Sequence, residues 1–479
     1  MTSLEKLKSR MVSGSVWAIA GEIIAGGARA LAYIVYAKLL SPADFGVVAF
    51  SLLLVGIFPL VIDNSIGLAL MRHSEDEANI YNSAFVLNVA LAIVAVLALT
   101  LAGPFAAKFI HESSAAYILP ILSIQLVVNA FASVHISSAR RRFEYKRLAR
   151  VRIISSASSI ALGLPLAYMG FGYWALVVSS IGGALGQTVA AVCILDWRPR
   201  FKFDRASAMK IAGFASWTSL DMFITWLVMS GGGLFLAFFL GAQALGLVRL
   251  SDQIDTYFIG TALNPLIPVL YASFCESASQ RNPSWRVFER STERLTPLAF
   301  GAAGVVIVAA TPVGSMLGSK WNGIGEVITL NAIADGISYS LLGVASYLRA
   351  HSLPKAVTLL RVTTVIVQII VYAGVARMGV YDFLFGKIGI EAFVYVSSLF
   401  LLSMIFGQPI SKILRSQVIQ GTAIALITII AVLVASTVES TGAVEALFAG
   451  VTSFVLLFGV FIALTQRDMF SLAFAKKYR

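Results

Sequence analysis

The sequence predicts an all-α polytopic membrane protein, and its composition and the spacing of its apolar runs carry this prediction. Of its 479 residues, 58% are hydrophobic and 13% are charged, with a mean hydropathy of +0.86. A soluble domain carries roughly 25% charged residues. Apolar runs of about 20 residues recur along the whole chain, each long enough to cross a ~30 Å hydrocarbon core. They lack the alternation of transmembrane β-strands, so we expect about fourteen transmembrane helices.

The basic residues predict the orientation of these helices. The net charge is +12, and strongly basic stretches occupy alternate loops at 140–152, 197–210 and 281–294. The loops of the opposite face hold few basic residues, namely Lys38, Lys108, Lys320, Arg377 and Lys387. By the positive-inside rule, both termini are expected in the cytoplasm of a bacterial cell, with the chain in the inner membrane. The charge then reflects orientation and attraction to lipid headgroups, with no nucleic acid partner.

The start of the chain fits this picture. The first apolar run follows "MTSLEKLKSR" and is too long for the core of a signal peptide. We expect it to be retained as the first transmembrane span.

An internal repeat predicts how the helices are arranged. Residues 39–51, "LLSPADFGVVAFS", align with residues 239–251, "FLGAQALGLVRLS", at an offset of 200. The shared positions are Leu40/Leu240, Gly46/Gly246, Val48/Val248 and Ser51/Ser251. A weaker similarity relates residues 168–176 to residues 377–384, at another pair of corresponding turns. Two six-helix lobes related by a pseudo-twofold along the membrane normal are expected, with a substrate cleft between them. The expected divisions are 1–210, 211–410, and 411–479 with two extra helices and a tail.

Two opposite charges stand in the first span. Glu22 and Arg29 are seven residues apart, which places them on one helix face. A charge at the centre of a lipid-exposed helix costs roughly 2.5–3.5 kcal/mol, so both residues should face protein or water. Gly26 and Gly27 between them let a helix or a bulky ligand approach. Arg29 is a candidate to hold a diphosphate, since a guanidinium offers fixed multidentate donors; a structural ion pair is the alternative.

A second charged group begins the eighth span. Arg249, Asp252 and Asp255 follow one another at three-residue spacing, so adjacent members are neighbours on a helix. Arg249 paired with Asp252 near the end of the span is the structural alternative. The two aspartates are candidates for an ion-coupling step.

Further acidic residues lie within predicted spans, at Asp63, Asp221, Asp335 and Glu391. Burial favours the protonated form of a carboxyl group, so these residues are candidates for a proton- or sodium-linked step. Asp63 stands out, because Pro59 and Gly67 could break the second span around it. Asp221 comes next, near the start of the seventh span. A buried, partnered carboxyl with no role in coupling is the alternative for each residue.

Catalytic and cofactor signatures are missing from the sequence. Its histidines are scattered, Cys193 and Cys275 are far apart, and no phosphate-binding glycine loop is present. We expect no enzymatic activity, no cofactor and no metal site. The predicted loops are short, whereas a polysaccharide polymerase would be expected to carry a large periplasmic loop.

Several segments in order resemble one transporter family. These are "LLSPADFGVVAFSLLL", "LALMR", "RRRFEYKRLARVR", "GFGYWALV" and "LGAQALGLVRLSDQI". They are similar to bacterial O-antigen and exopolysaccharide flippases of the multidrug/oligosaccharidyl-lipid/polysaccharide exporter superfamily. The resemblance implies alternating-access transfer of an undecaprenyl-diphosphate-linked oligosaccharide to the periplasmic leaflet. Polysaccharide polymerase and export machinery are implied partners, for exopolysaccharide, capsule or O-antigen assembly.

The same resemblance implies a cationic cavity lined by arginines of spans one, two and eight. The matching positions are Arg29, Arg72 and Arg249, with Glu22 beside the first of them. Three alternatives stay open. The chain could be a peptidoglycan-precursor flippase, a cation-coupled multidrug exporter with an acidic, aromatic cleft, or a scaffold of a polysaccharide-assembly complex whose intramembrane charges tolerate neutral replacement.

Overall fold

The secondary structure is helical throughout the part of the chain that the computed structural model describes. These residues are 3–59, 64–71, 78–200, 202–279, 284–440 and 442–465. The first helices are α1 (Ser3–Leu39), α2 (Pro42–Phe58), α3 (Asn64–Met71), α4 (Ala78–Ile110), α5 (Ala115–Arg141), α6 (Tyr145–Tyr168), α7 (Trp174–Ile194) and α8 (Arg205–Asp255). After a π-helical turn at Thr256–Gly260 come α9 (Thr261–Leu263), α10 (Leu266–Ser279), α11 (Ser284–Leu317), α12 (Ile324–Ser340), α13 (Val344–Ala350), α14 (Pro354–Val375), α15 (Val380–Phe406), α16 (Ser411–Val438) and α17 (Ala443–Thr465).

The predicted class, an all-α polytopic membrane protein, is confirmed. Among the described residues, 11 helical segments are long and apolar enough to cross a membrane. One of them, Thr218–Ala278, is 61 residues long and contains a backbone break. The total of fourteen spans stays a prediction, as does the orientation of the termini.

The turn between α1 and α2 follows from its sequence. Ser41 is the N-cap of α2, and its hydroxyl accepts a hydrogen bond from the amide of Asp44 at 3.2 Å. The Asp44 carboxylate in turn accepts from the amide of Ser41 at 3.0 Å. This reciprocal capping box satisfies two amides at the helix start. Pro42 occupies the first helical position, where its missing N–H costs nothing.

A matching break divides α8. Gly241 has φ +76° and ψ −169°, a conformation that glycine adopts without the strain imposed by a side chain. The repeat aligns Gly241 with Ser41 of the first turn. The predicted turn near residues 239–251 is therefore present, and the 51-residue helix is two successive helices joined at Gly241.

The described residues form two compact units. The first comprises those of 1–250 and 368–377, and the second comprises those of 251–367 and 378–479. Each has its own core, with Tyr81 and Phe85 buried in the first and Phe288 and Tyr347 buried in the second. The lobe boundaries expected near 210 and 410 remain a prediction.

Small residues bring helices close together within each unit. In the first unit, α7 places Gly186 against α6, where an added Cβ would lie 2.3 Å from the Ser158 hydroxyl. In the second unit, α17 packs on α11, where a Cβ on Gly304 would meet the Phe454 ring at 2.6 Å. Helices in membranes associate through such close packing, because lipid provides little hydrophobic drive between them.

Candidate functional site

Glu22 joins two arginines in the first unit. The seven-residue spacing correctly predicts its contact with Arg29, since Arg29 Nη2 lies 3.5 Å from Glu22 Oε1. The other oxygen of Glu22 forms a much closer ion pair with Arg152 Nη1 of α6. The side chains of Arg29 and Glu22 are 39% and 45% exposed. Glu22 therefore pairs with both arginines, and its shorter contact is with Arg152.

The position of Arg152 corrects the sequence interpretation. The basic stretch 140–152 is expected in a cytoplasmic loop, but α6 begins at Tyr145 and Arg152 lies two turns inside it. The backbones of α1 and α6 meet closely at Gly21, where an added Cβ would come 2.7 Å from the Cβ of Ala149. This close approach places Glu22 within reach of Arg152.

Open space lies beside the glycines between Glu22 and Arg29. A Cβ on Gly26 or Gly27 would meet no heavy atom within 4 Å among the described residues. Of the two uses that the sequence leaves open for these glycines, contact with a neighbouring helix and access for a ligand, the geometry favours the second. The structure therefore leaves room for added atoms beside these two glycines of α1.

Arg29 keeps donors available. Its Nε atom is buried and has no hydrogen-bond partner among the described residues. One helical turn further on, Tyr33 experiences the charges of both Arg29 and Arg249. Arg249 also packs toward Gly233, where an added Cβ would lie 3.6 Å from Arg249 Nη2. Arg29 and Arg249 thus both lie within electrostatic range of Tyr33, and we call Glu22, Arg29, Tyr33 and Arg249 the arginine site.

The chemistry of the arginine site suits a multivalent oxyanion. Two guanidinium groups offer planar arrays of donors, and such groups bind carboxylates and phosphates bidentately. The Tyr33 hydroxyl adds a further polar group to the same place. Glu22 offsets part of the positive charge, and its contact with Arg152 is shorter than its contact with Arg29.

A second polar group lies in the second unit. Asp252 and Asp255 of α8, Asn331 and Asp335 of α12, and Lys387 of α15 form what we call the acid–lysine cluster. Lys387 Nζ lies 3.0 Å from Asp335 Oδ1, 2.6 Å from Asn331 Oδ1 and 3.6 Å from Asp252 Oδ1. Asn331 donates to Asp255 Oδ2 at 2.7 Å and to Asp252 Oδ1 at 3.0 Å. Three of the predicted coupling residues, Asp252, Asp255 and Asp335, therefore meet at one place.

The position of Lys387 corrects the sequence interpretation. The charge pattern assigns it to a loop of the face opposite the cytoplasm, but it lies two turns inside α15 with a side chain only 19% exposed. Its carboxylate partners explain how a buried ammonium is tolerated. A signal existed in the sequence, since Asn331/Asp335 and Lys387/Glu391 are both polar pairs four residues apart on apolar helices.

Four predicted site residues remain, of which the structure describes two, Asp221 and Glu391. Asp221 is half-buried in α8 of the first unit, where its backbone carbonyl accepts from Thr225 Oγ1 at 2.8 Å. Glu391 of the second unit hydrogen-bonds Ser338. Arg72 and Asp63 lie outside the described residues.

The 11 apolar helical segments among the described residues define a polytopic membrane protein, which carries the arginine site and the acid–lysine cluster in its helices. The family described as polysaccharide biosynthesis protein matches residues 35–326, and the chain belongs to this family. It is 22% identical over 325 residues to the succinoglycan biosynthesis transport protein ExoT of Rhizobium meliloti (strain 1021), covering 67% of this chain and 65% of that one. It is also 22% identical over 332 residues to the lipopolysaccharide biosynthesis protein WzxC of Escherichia coli (strain K12), covering 68% and 66%. The matched stretches thus span slightly less than two thirds of these relatives.

Solved structures of two membrane proteins share the fold. The lipid II flippase MurJ in an inward closed conformation superimposes with a TM-score of 0.74 at 13% identity, over 96% of this chain and 100% of MurJ. An inward-facing multidrug resistance MATE family transporter of the MOP superfamily gives a TM-score of 0.56 at 12% identity, over 82% of this chain and 96% of the transporter. The predicted resemblance is confirmed for the family by the matching family model, and these structures show the shared fold.

Proposed function

We propose that this protein transfers a lipid-linked oligosaccharide, bearing a diphosphate, from the cytoplasmic to the periplasmic leaflet of a bacterial inner membrane. The observation that carries the proposal is the arginine site, in which Arg29 has a buried Nε without a partner among the described residues and lies beside open space at Gly26 and Gly27. Family membership and relatives named for succinoglycan, lipopolysaccharide and teichuronic acid biosynthesis support a polysaccharide precursor as the cargo. The relatives are named for different glycans, so we expect the site to recognise the diphosphate of the precursor rather than its sugars.

The arginine site is suited to the diphosphate of such a precursor. Among the described residues, Arg29 has a buried Nε without a partner and one long ion-pair contact, at 3.5 Å, to Glu22. Open space beside Gly26 and Gly27 gives a bulky ligand access to this part of α1. In our proposal the diphosphate takes the free donors of Arg29, while Arg152 retains Glu22. Arg249 holds the same anion from the other repeat, and the polyprenyl tail stays in the lipid.

The acid–lysine cluster is proposed to couple transport to an ion gradient. Its carboxyl groups lie on α8 and α12 and its ammonium lies on α15, so a change in the charge of the carboxyl groups acts on three helices at once. An ion that binds one conformation better than the other shifts the population between them. A proton or a sodium ion could supply this difference, and the two are distinguished below.

Leaflet-resolved measurement of polyprenyl-diphosphate oligosaccharides in cells that lack the protein tests the proposal. We expect the precursor to accumulate in the cytoplasmic leaflet and wild-type protein to restore its transfer. Arg29→Ala should fail to restore it, whereas Arg415→Ala, at an exposed arginine of α16, should restore it as wild type does. Both variants need matched membrane abundance for this comparison.

The rival functions predict different results in the same cells. A peptidoglycan-precursor flippase, suggested by the MurJ fold, would cause lipid II to accumulate instead. A multidrug exporter would leave both lipids unchanged and alter the efflux of cationic compounds. A scaffold would tolerate Arg29→Ala, provided that the variant is inserted normally.

A further inference from the structure

The ammonium of Lys387 stands where a bound cation would stand. Its Nζ is surrounded by oxygen atoms of Asn331 at 2.6 Å, Asp335 at 3.0 Å and Asp252 at 3.6 Å. Carboxylate and amide oxygens are the ligands that small, hard cations prefer. Here the cation belongs to the chain itself and is delivered by α15.

We propose that Lys387 is a tethered counter-cation that fills this oxygen-lined position and excludes free sodium, so that the acid–lysine cluster exchanges only protons. The identification of the coupling ion rests on the proposed transport function. The exclusion of sodium by Lys387 does not, because it concerns the cluster alone and is measurable without a lipid substrate.

The first argument is that the Lys387 ammonium already occupies the oxygen-lined position. The side chain of Lys387 is mostly buried, and its nitrogen already contacts three of the oxygens that a sodium ion would need. A second cation at this place would meet the ammonium as a like charge in a low dielectric, where repulsion is strong. Among the described residues, no group of three or more His, Cys, Asp or Glu is arranged to hold a metal ion.

The second argument is the balance of charge around Lys387. The groups that face it are Asp252 and Asp255 from α8, Asp335 and Tyr339 from α12, and Glu391 from its own helix. One ammonium is thus set against several carboxyl groups, which cannot all be ionised in a buried site at low cost. Protons on the carboxyl groups remove the excess negative charge without needing further space.

Asp255 supplies a place for such a proton. Its side chain is 1% exposed, and Oδ2 accepts a hydrogen bond from Asn331. Its other oxygen, Oδ1, is buried without a hydrogen-bond partner among the described residues. A proton taken from water onto Oδ1 neutralises this carboxylate and leaves the Asn331 bond to Oδ2 intact.

Thermal unfolding of the purified protein in sodium chloride and in choline chloride, at equal ionic strength, tests the role of Lys387. Wild-type protein should unfold at the same temperature in both salts. Lys387→Ala empties the oxygen-lined position, and sodium should then raise the unfolding temperature by about 3–5 °C over choline, because a ligand of the folded state stabilises it. Lys412→Ala is the control, since it removes a 2.9 Å ion pair to Glu289 at an exposed lysine of the same unit and should show no sodium-specific shift.

Either of two results would overturn the proposal: stabilisation of the wild-type protein by sodium, or the absence of a sodium shift in folded Lys387→Ala. If that variant does not fold, radiolabelled sodium binding to wild-type protein decides, and saturable binding would reject a filled site. Because neither measurement involves a lipid, loss of the flippase proposal would leave these results standing, and the converse also holds.

Discussion

Gly46 packs against the backbone of the turn before Gly246, and Gly246 packs against the backbone of the turn before Gly46. A Cβ on Gly46 would lie 1.7 Å from the carbonyl oxygen of Ala242, and a Cβ on Gly246 would lie 1.8 Å from the carbonyl oxygen of Pro42. Both pairs are related by the offset of 200 that aligns the two turns in the sequence. The contact is reciprocal, as a local twofold relation requires, so the repeat seen in the sequence is also a repeat in space.

We predict that Gly46→Ala destabilises the protein by about 1–3 kcal/mol, because the added methyl group forces two backbones apart. Gly56→Ala on the same helix is the matched control, since a Cβ there meets no heavy atom within 4 Å among the described residues. Alanine favours a helix over glycine by up to about 1 kcal/mol, so this control should be neutral or stabilising. Chemical unfolding of both variants in detergent measures the difference, and equal stability of the two would contradict the close contact.

The two matching turns, at Ser41 and at Gly241, show what the sequence predicts well. Both depend on local chemistry, a hydroxyl-carboxylate pair and a glycine, together with the 200-residue offset that aligns them. The contact of Glu22 with Arg29 follows likewise from helical spacing. These features need only neighbouring residues and the internal repeat.

Lys387 and Arg152 show why the sequence analysis did not predict the ion pairs of buried or helical basic residues. Assigning basic residues to loops assumes that a charge avoids the membrane, and this holds only when it has no partner there. The partners of Lys387 come from α8 and α12, and the partner of Arg152 comes from α1, 130 residues away. Such pairings depend on tertiary packing, which local patterns in one sequence do not specify.

The ion pair between Glu22 and Arg152 gives a second prediction. A double-mutant cycle with Glu22→Gln and Arg152→Gln should show a coupling of about 0.5–1 kcal/mol, since half-exposed ion pairs contribute modestly. A cycle that replaces Arg152→Gln with Arg150→Gln, at an exposed arginine of the same helix, should show no coupling. Equal coupling in the two cycles would mean that the general charge of α6, rather than the pair, stabilises the protein.

A third prediction concerns acid sensitivity at the start of α8. Asp204 accepts a hydrogen bond from the amide of Ser207 at 2.8 Å, and hydrogen bonds from the Ser207 hydroxyl and amide hold the pKa of Asp204 below its ordinary value of 3.8. A lowered pKa in the folded state means that the ionised carboxylate adds stability above pH 3.8, and this stability is lost as the pH falls through the folded-state value.

Asp204→Asn isolates this contribution, because asparagine caps a helix about as well as aspartate but carries no charge. Wild-type protein should be the more stable of the two at pH 6, and the difference should shrink as the pH falls below about 4. Thermal unfolding at a series of pH values measures it. A difference that is constant across this range would show that the charge of Asp204 plays no part.

The central claim is that the arginine site recognises a diphosphate, and equilibrium binding to purified protein tests it most directly. Short-chain polyprenyl diphosphate and polyprenyl monophosphate share the lipid and differ in the anion. We expect wild-type protein to bind the diphosphate about tenfold more tightly than the monophosphate. This ratio corresponds to ~1.4 kcal/mol, about the contribution of one charge-assisted hydrogen bond. Arg29→Ala should lose this preference, and Arg415→Ala should keep it. Equal affinity of wild-type protein and Arg29→Ala for the diphosphate would contradict the account.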